Sequence, residues 1–304
     1  MKISTTISGF SRLFDNDLSR VLDAARIIDS SGADQLVLAD HVVMGDRLDR
    51  YPFGTFPYGA DEPWPEPLTL LAAIAAVTSK VRLGTGILIT PLRPTALLAK
   101  TVATLDQISN GRVDLGIGTG WQREEYAASN IPWADRWKLL DDGIAACAQL
   151  WTQPAPVTFT SETVNFGPTW CLPQPKQQSA HTGIPVWYGV AAAPQHIDRI
   201  AKYGTGWLPI HTTDNEGLKA NIATLRAAVE RHGRDPQSFQ VRCAAKVVTG
   251  GDGHIDKAAT LAANAWLVDA GVSCASVGTG RHVRDAVSLE RFLTDAVAVF
   301  SDLG

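Results

Sequence analysis

The chain has 304 residues, of which 45% are hydrophobic and 19% charged, and its formal net charge is −4. This composition fits one large α/β domain or two smaller ones, and the lack of a long basic run argues against nucleic acid or membrane surfaces as partners. No apolar run approaches the ~20 residues needed to cross a bilayer, the first residues are too polar for a secretory signal, and four scattered cysteines predict reduced thiols in a cytoplasmic protein without a metal site.

Strand and helix patterns alternate along the whole chain. Short continuous apolar runs, typical of buried parallel strands, predict strands over residues 2–7, 35–39, 81–89, 112–118, 184–188, 205–208, 238–248 and 272–277. Apolar residues at helical spacing predict helices over residues 17–30, 66–79, 94–109, 135–151, 194–203, 214–232, 255–270 and 283–300. Two short alternating runs, at 157–160 and 163–166, predict a hairpin.

These units predict a single α/β domain over residues 1–304, a closed (β/α)8 TIM barrel. The count of about eight βα units fits a barrel better than an open doubly wound sheet. We expect an insertion after the second strand, at 41–65, and another before the fifth, at 154–180. Functional groups in such barrels lie at the carboxyl ends of the strands.

Asp40 and His41 follow the second predicted strand directly, which places both at the mouth of the barrel. A histidine there can donate or accept a proton near neutral pH, and an adjacent carboxylate can orient it. A buried, hydrogen-bonded capping pair explains the same position equally well. The sequence contains no HxH or HExxH pattern to support metal binding.

Glycines interrupt the third and fourth predicted strands, at Gly84 and Gly86 and at Gly116, Gly118 and Gly120. Such strands bring bare backbone against a flat ligand, or they supply the curvature of a barrel corner. The second group superficially matches GxGxxG. Because no helix opens at once and no acidic residue follows at the required distance, a dinucleotide fold is only weakly supported.

Two further segments are candidates for ligand contacts. Trp121 can stack on a ligand and Glu124 can accept a hydrogen bond, whereas Glu125 is expected to be solvated or paired at the rim. The small residues at 190–193 precede Pro194, which suits the first turn of a helix. Backbone N–H groups at that helix N-terminus can bind a phosphate, although a plain βα turn has the same sequence.

Five motifs together resemble the luciferase-like monooxygenase superfamily, and the similarity runs along nearly the whole chain. Their order and spacing are specific, although no single motif is. They lie at residues 39–41, 82–88, 98–106, 109–113 and 116–126. The Asp40-His41 pair, the long segment 42–65 and the proline-rich entry to helix 66–79 resemble most the branch that uses coenzyme F420, a 5-deazaflavin.

The resemblance implies a non-prolyl cis peptide at Gly86–Ile87, which backs the tricyclic ring of the cofactor. Asp40 and His41 match positions near the reactive face of the ring, with His41 as proton donor or acceptor and Asp40 tuning it. The remaining positions implied to contact the cofactor are Thr85 and Thr90 at the ring edge, Thr119, Gly120, Trp121 and Glu124 around its side chain, and Gly189, Val190, Ala191 and Ala192 at the phosphate.

By this resemblance, the protein is an oxidoreductase that transfers a hydride between F420 and a small organic substrate. The alternative is an FMN-dependent monooxygenase that uses reduced flavin and oxygen. Two further alternatives are a non-catalytic deazaflavin carrier and an oligomerising scaffold. The segment 42–65 is expected to form a lid or substrate wall, or else a packed structural loop. Relatives of this kind commonly form homodimers, here through helices 66–79 and 94–109.

Overall fold

The computed structural model describes residues 1–178, 181–210 and 214–303. The strands are β1 (Lys2–Ile7), β2 (Gln35–Leu38), β3 (Arg82–Thr85), β4 (Leu88–Ile89), β5 (Val113–Gly118), β6 (Val157–Thr160), β7 (Asn165–Thr169), β8 (Val186–Tyr188), β9 (Gly206–Trp207), β10 (Gln240–Ala244) and β11 (Cys274–Gly278). The helices are α1 (Phe10–Phe14), α2 (Ser19–Ser31), α3 (Pro67–Val77), α4 (Thr95–Ile108), α5 (Arg123–Ala128), α6 (Arg136–Thr152), α7 (Pro194–Tyr203), α8 (Asn215–Arg231), α9 (Lys257–Asp269) and α10 (Ala286–Ser301).

Eight parallel strands close into a barrel, which confirms the predicted TIM-barrel fold. Each pairs with the next in the order β1, β2, β3, β5, β8, β9, β10 and β11, and β11 pairs back with β1. The short strand β4 also pairs with β5 and continues the third barrel strand beyond a two-residue interruption. The helices surround this barrel. Because the eight strands are parallel, their carboxyl ends all open at one face.

Local sequence accounts for these elements. Every residue of β2 and β5 is buried, as the continuous apolar runs require of strands covered on both faces. Helix α3 begins at Pro67, and the side chain of Glu66 accepts a hydrogen bond from the Thr69 amide as its N-cap. Helix α10 has a capping box between Asp285 and Ser288.

Several predicted boundaries differ from the structure. The strand predicted at 81–89 is split at the glycine-rich step, and the one predicted at 238–248 ends at Ala244. Helices α1 and α5 were not predicted because both are too short to show helical periodicity. The hairpin is present as β6 and β7, with its second strand at Asn165–Thr169. Residues 179 and 180 of the predicted second insertion lie outside the described residues. Among the helices in the described ranges, none is both long and apolar enough to span a membrane.

Candidate active site

A cavity of about 650 Å³ opens at the carboxyl ends of the barrel strands. It lies within the size range of small-molecule and cofactor sites. Most residues that the sequence singled out line this cavity: Asp40, His41, Gly86, Ile87, Thr119, Gly120, Trp121, Gly189, Val190 and Ala191. Thr85, Thr90, Glu124 and Ala192 are not among its lining residues.

One wall of the cavity is the main chain between β3 and β4. The Gly86–Ile87 peptide bond is cis, as the resemblance implied, and both residues face the cavity. The glycines of the neighbouring strands make room for the Ile87 side chain behind this wall. A Cβ atom at Gly189 would lie 2.3 Å from Ile87 Cγ2, and one at Gly118 would lie 3.0 Å from Ile87 Cδ1. Bare backbone is therefore presented to the cavity.

His41 is held by Glu125, which the sequence analysis expected to be solvated or paired at the rim, and which is paired but fully buried. The His41 side chain is 9% exposed, and its Nδ1 lies 3.3 Å from Oε2 of the fully buried Glu125. The other oxygen of Glu125 accepts from the Val42 amide at 2.8 Å. Because a carboxylate only accepts, Nδ1 carries the ring proton and Nε2 is left for a ligand.

The hydrogen bonds of Asp40, which was predicted to tune His41, go to other partners. Its two oxygens accept from Arg93, at 2.7 and 3.0 Å, and Oδ2 also accepts from the Ile89 amide at 2.8 Å. Arg93 in turn reaches Glu66 at 3.0 Å. Asp40 thus fixes the backbone just beyond the cis peptide, so it positions the cavity wall.

The two threonines predicted at the ring edge do not face the cavity. Thr85 is buried and donates to the Gly116 carbonyl at 2.7 Å, across to the next barrel strand. The Thr90 hydroxyl is buried, and no partner lies within hydrogen-bond distance in the described part of the chain.

The loop after β5 binds the segment that follows β2. Glu124 accepts from Arg50 at 3.2 Å, so its predicted role beside the cofactor is not supported by its position. The neighbouring Gln122 accepts from the Gly45 amide at 2.9 Å and was missed. Together with Glu125, these contacts attach the segment 41–50 to the mouth of the barrel.

Aromatic rings cover the side of the cavity that faces this segment. The His41 ring makes edge contacts with Trp64, at 4.8 Å between centroids, and with Phe56 at 5.9 Å. Tyr51 contacts both Phe56 and Trp121. These rings line the cavity, so the predicted wall is present in the structure.

Arg242 lies at the bottom of the cavity and was missed by the sequence analysis. Its Nη1 donates to Gln35 at 3.0 Å, its Nη2 lies 3.5 Å from the Thr85 carbonyl, and the guanidinium lies over the Trp187 ring. No carboxylate in the described ranges forms an ion pair with it. Burial lowers the pKa of this guanidinium. An arginine within the apolar run 238–248 was the available signal.

The predicted phosphate cradle lies where β8 leads into α7. The Gly189 amide already donates to the Ile117 carbonyl at 2.8 Å, and the Val190 carbonyl accepts from Trp207. For the amides of Ala191 and Ala192, by contrast, no acceptor is found within residues 1–178, 181–210 and 214–303. These two N–H groups are therefore available at the N-terminal end of α7.

A closed parallel barrel with an aromatic-walled cavity at the carboxyl ends of its strands defines a TIM-barrel enzyme. The family model described as luciferase-like monooxygenase matches residues 2–293. The chain belongs to this family of oxidoreductases and monooxygenases.

The chain is similar to proteins that use different cofactors. It is 30% identical over 179 residues to the FMNH(2)-dependent dimethylsulfone monooxygenase of Pseudomonas putida. The match covers 58% of this chain and 47% of the relative. The chain spans about half the length of the curated relatives it matches first.

Two solved structures share the fold over the full chain. Monooxygenase RslO1 from Streptomyces bottropensis has a TM-score of 0.77 at 19% identity, covering 100% of this chain and 98% of that one. An F420-dependent secondary alcohol dehydrogenase, in complex with an F420-acetone adduct, has a TM-score of 0.73 at 16% identity, covering 98% and 99%.

Proposed function

We propose that this protein transfers a hydride between coenzyme F420 and a small organic substrate. The observation that carries the proposal is that one cavity combines the bare Gly86–Ile87 main chain with His41, whose Nε2 is free for a ligand. A bound deazaflavin supplies a carbon that carries the hydride. The protein then has to orient the reactants, exclude water and move a proton.

The residues present fit a flavin-type cofactor. The cavity volume suits a tricyclic ring together with a small substrate. Main chain at Gly86, which carries no side chain, offers a surface for a planar ring. The amides of Ala191 and Ala192, which precede α7 and have no acceptor among the described residues, suit an anionic side-chain group.

The side chains around the cavity divide the remaining tasks. His41 donates or accepts a proton at Nε2, while Glu125 holds Nδ1 and stabilises the charged ring when it forms. Tyr51, Phe56 and Trp64 exclude water and favour an apolar or planar substrate.

The choice of F420 is supported by the fold similarity to an F420-dependent alcohol dehydrogenase over almost the whole of both chains. The second candidate is an FMN-dependent monooxygenase. It is favoured by the name of the Pseudomonas putida relative, although that match spans about half of the relative.

We further propose that the protein is a cytoplasmic homodimer. Its four cysteines are free and buried, which suits a reducing compartment. Leu97 and Ile108 on α4, and Trp170 and Leu172 after β7, are exposed apolar side chains. The Lys100 side chain of α4 donates to the Leu172 carbonyl and keeps these groups together. Such a patch is typical of a protein interface.

A binding titration with purified protein tests the cofactor. We expect F420 to bind with a dissociation constant at least tenfold lower than that of FMN. Both cofactors are tested in oxidised and reduced forms, and binding is followed by the fluorescence of the ring. Replacing Trp121, which lines the cavity, with Ala should weaken F420 binding by about fivefold, since an aromatic contact contributes about 1 kcal/mol.

Trp170→Ala is the matched control, because Trp170 is 62% exposed and does not line the cavity. It should bind F420 as the unmodified protein does. Tighter binding of FMN than of F420 would favour the monooxygenase. Binding of neither cofactor would refute both candidates.

A further inference from the structure

His196 is a buried side chain of the cavity wall to which neither the sequence analysis nor the proposed reaction gives a role. It is the third residue of α7, is 9% exposed and lines the cavity near Ala191. Its ring packs on Trp137 with centroids 4.3 Å apart and an interplanar angle of 31°. The ring is therefore held in one orientation at the end of the cavity where α7 begins.

The partner of His196 determines which ring nitrogen carries the proton. Nδ1 contacts Nη1 of Arg199, and a guanidinium can only donate. Nδ1 therefore accepts, and in the neutral ring the proton is on Nε2. Burial and the Arg199 charge lower the pKa of His196, so the neutral form prevails at pH 7.

Arg199 is itself fixed. It donates from Nε and Nη2 to the two oxygens of Asp141, each at 2.8 Å, and its guanidinium lies over the Trp137 ring at 4.7 Å. The charge of Asp141 is thus already neutralised by Arg199. An anion in the cavity would meet the Nε2–H of His196 without facing an unpaired carboxylate there.

Nε2 has no partner in the part of the chain that the structure describes, although the ring lines the cavity. Ala191 lines the same cavity, and the amides of Ala191 and Ala192, which precede α7, also find no acceptor within the described ranges. All three donors lie at the N-terminal end of α7, a ten-residue helix whose dipole favours negative charge there. The run Ala191-Ala192-Ala193 contributes no hydroxyl.

We propose that His196 binds the phosphate group of the cofactor through Nε2–H, as a side-chain donor that adds to the amides of Ala191 and Ala192. The inference rests on the proposed function, because it requires a flavin-type cofactor to bind. It applies equally to F420 and to FMN. If the proposal holds, His196 makes the cavity bind a phosphorylated cofactor more tightly than an unphosphorylated one.

Pairs of ligands that differ by the phosphate test the proposal. The affinity of the protein is measured by fluorescence titration for FMN against riboflavin, and for F420 against its phosphate-free deazaflavin chromophore. His196→Phe keeps a ring on Trp137 but removes the donor. We expect it to weaken binding of the phosphorylated ligands by 10- to 100-fold, because a hydrogen bond to a charged group is worth about 1.5–3 kcal/mol.

His196→Gln is the matched variant, since its amide can donate from nearly the same place as Nε2. It should retain most of the affinity for the phosphorylated ligands, and both variants should bind the phosphate-free ligands like the unmodified protein. Equal losses for both members of a pair would overturn the proposal, as would full affinity in His196→Phe. If the unmodified protein binds riboflavin and FMN equally, the role of His196 is refuted but the proposed function is not. Binding of none of the four would refute the proposed function with it.

Discussion

At the scale of single residues, His41 has one ring nitrogen bound to Glu125 and the other directed to the cavity. The carboxylate sets this arrangement because it can accept only from a protonated Nδ1. The sequence predicts the position of His41, since a residue that ends a barrel strand must lie at the mouth. It does not predict its partner: Asp40 is adjacent in sequence but binds Arg93, whereas Glu125 is 84 residues away.

We predict that Glu125→Ala shifts neutral His41 toward the Nε2–H tautomer by about tenfold or more. The reason is that a charge-assisted hydrogen bond worth about 1.5–3 kcal/mol is lost at Nδ1. Long-range ¹H–¹⁵N NMR on protein with labelled histidine measures the tautomer, and His41→Asn assigns the signal. Glu124→Ala is the control, because Glu124 pairs with Arg50. An unchanged His41 signal in Glu125→Ala would contradict the assigned role.

At the scale of elements, helix α2 is tied to the start of β3 by one side chain. Asp29 accepts from the amides of Ser79, Lys80 and Val81 at 2.7–3.0 Å. The sequence predicted both elements to within a few residues, because hydrophobic periodicity is a local signal. It did not predict this contact, which joins residues 50 to 52 positions apart.

Asp29 makes the stability of the fold depend on pH. Partial burial raises the pKa of Asp29, but hydrogen bonds from Val81, Lys80 and Ser79 outweigh it and lower the pKa below the ordinary value. A carboxyl whose pKa is lower in the folded state stabilises the fold above its unfolded pKa, near 3.9. This contribution is lost as the pH falls through the lowered value.

We therefore predict that Asp29→Asn lowers the free energy of unfolding by about 1 kcal/mol at pH 7. The value lies below the about 1.5–3 kcal/mol of a hydrogen bond to a charged group because Asp29 is partly solvated. The difference from the unmodified protein should shrink below about pH 4, as measured by urea unfolding at a series of pH values. Asp23→Asn, on the same helix, removes only an exposed ion pair with Arg26 and should change stability little. Equal losses of stability in the two variants would rule out the stabilising role of the Asp29 hydrogen bonds.

At the scale of the whole molecule, the described surface carries a patch formed by α4 and the segment after β7. Leu97 and Ile108 are 60% and 53% exposed, and they lie on one face of α4 with a spacing of eleven residues. Trp170 and Leu172 are exposed as well, and the Leu172 carbonyl accepts from Lys100 of α4. A second copy of the chain is the occupant proposed above.

We predict that the protein elutes as a dimer, at about twice its mass of 32.6 kDa, and that Leu97→Glu converts it to a monomer. A charge buried in an apolar interface without a partner costs several kcal/mol. Size-exclusion chromatography with light scattering measures the mass. Val287→Glu is the control, because Val287 is 75% exposed on α10, which packs against α2 and α9. A monomer at micromolar concentration without any substitution would refute the dimer.

The sequence by itself determined the barrel, the strand broken at Gly86, and the place of His41 at the mouth. These follow from hydrophobic periodicity, from the order of strands and helices, and from motifs that are each contained within a short stretch of chain. Only the tertiary structure decided that Glu125 holds His41, that Arg242 lies beneath the cavity and that His196 faces into it. Each of these depends on which side chains meet when the ends of distant strands are brought together by closure of the barrel, and local sequence does not encode that geometry.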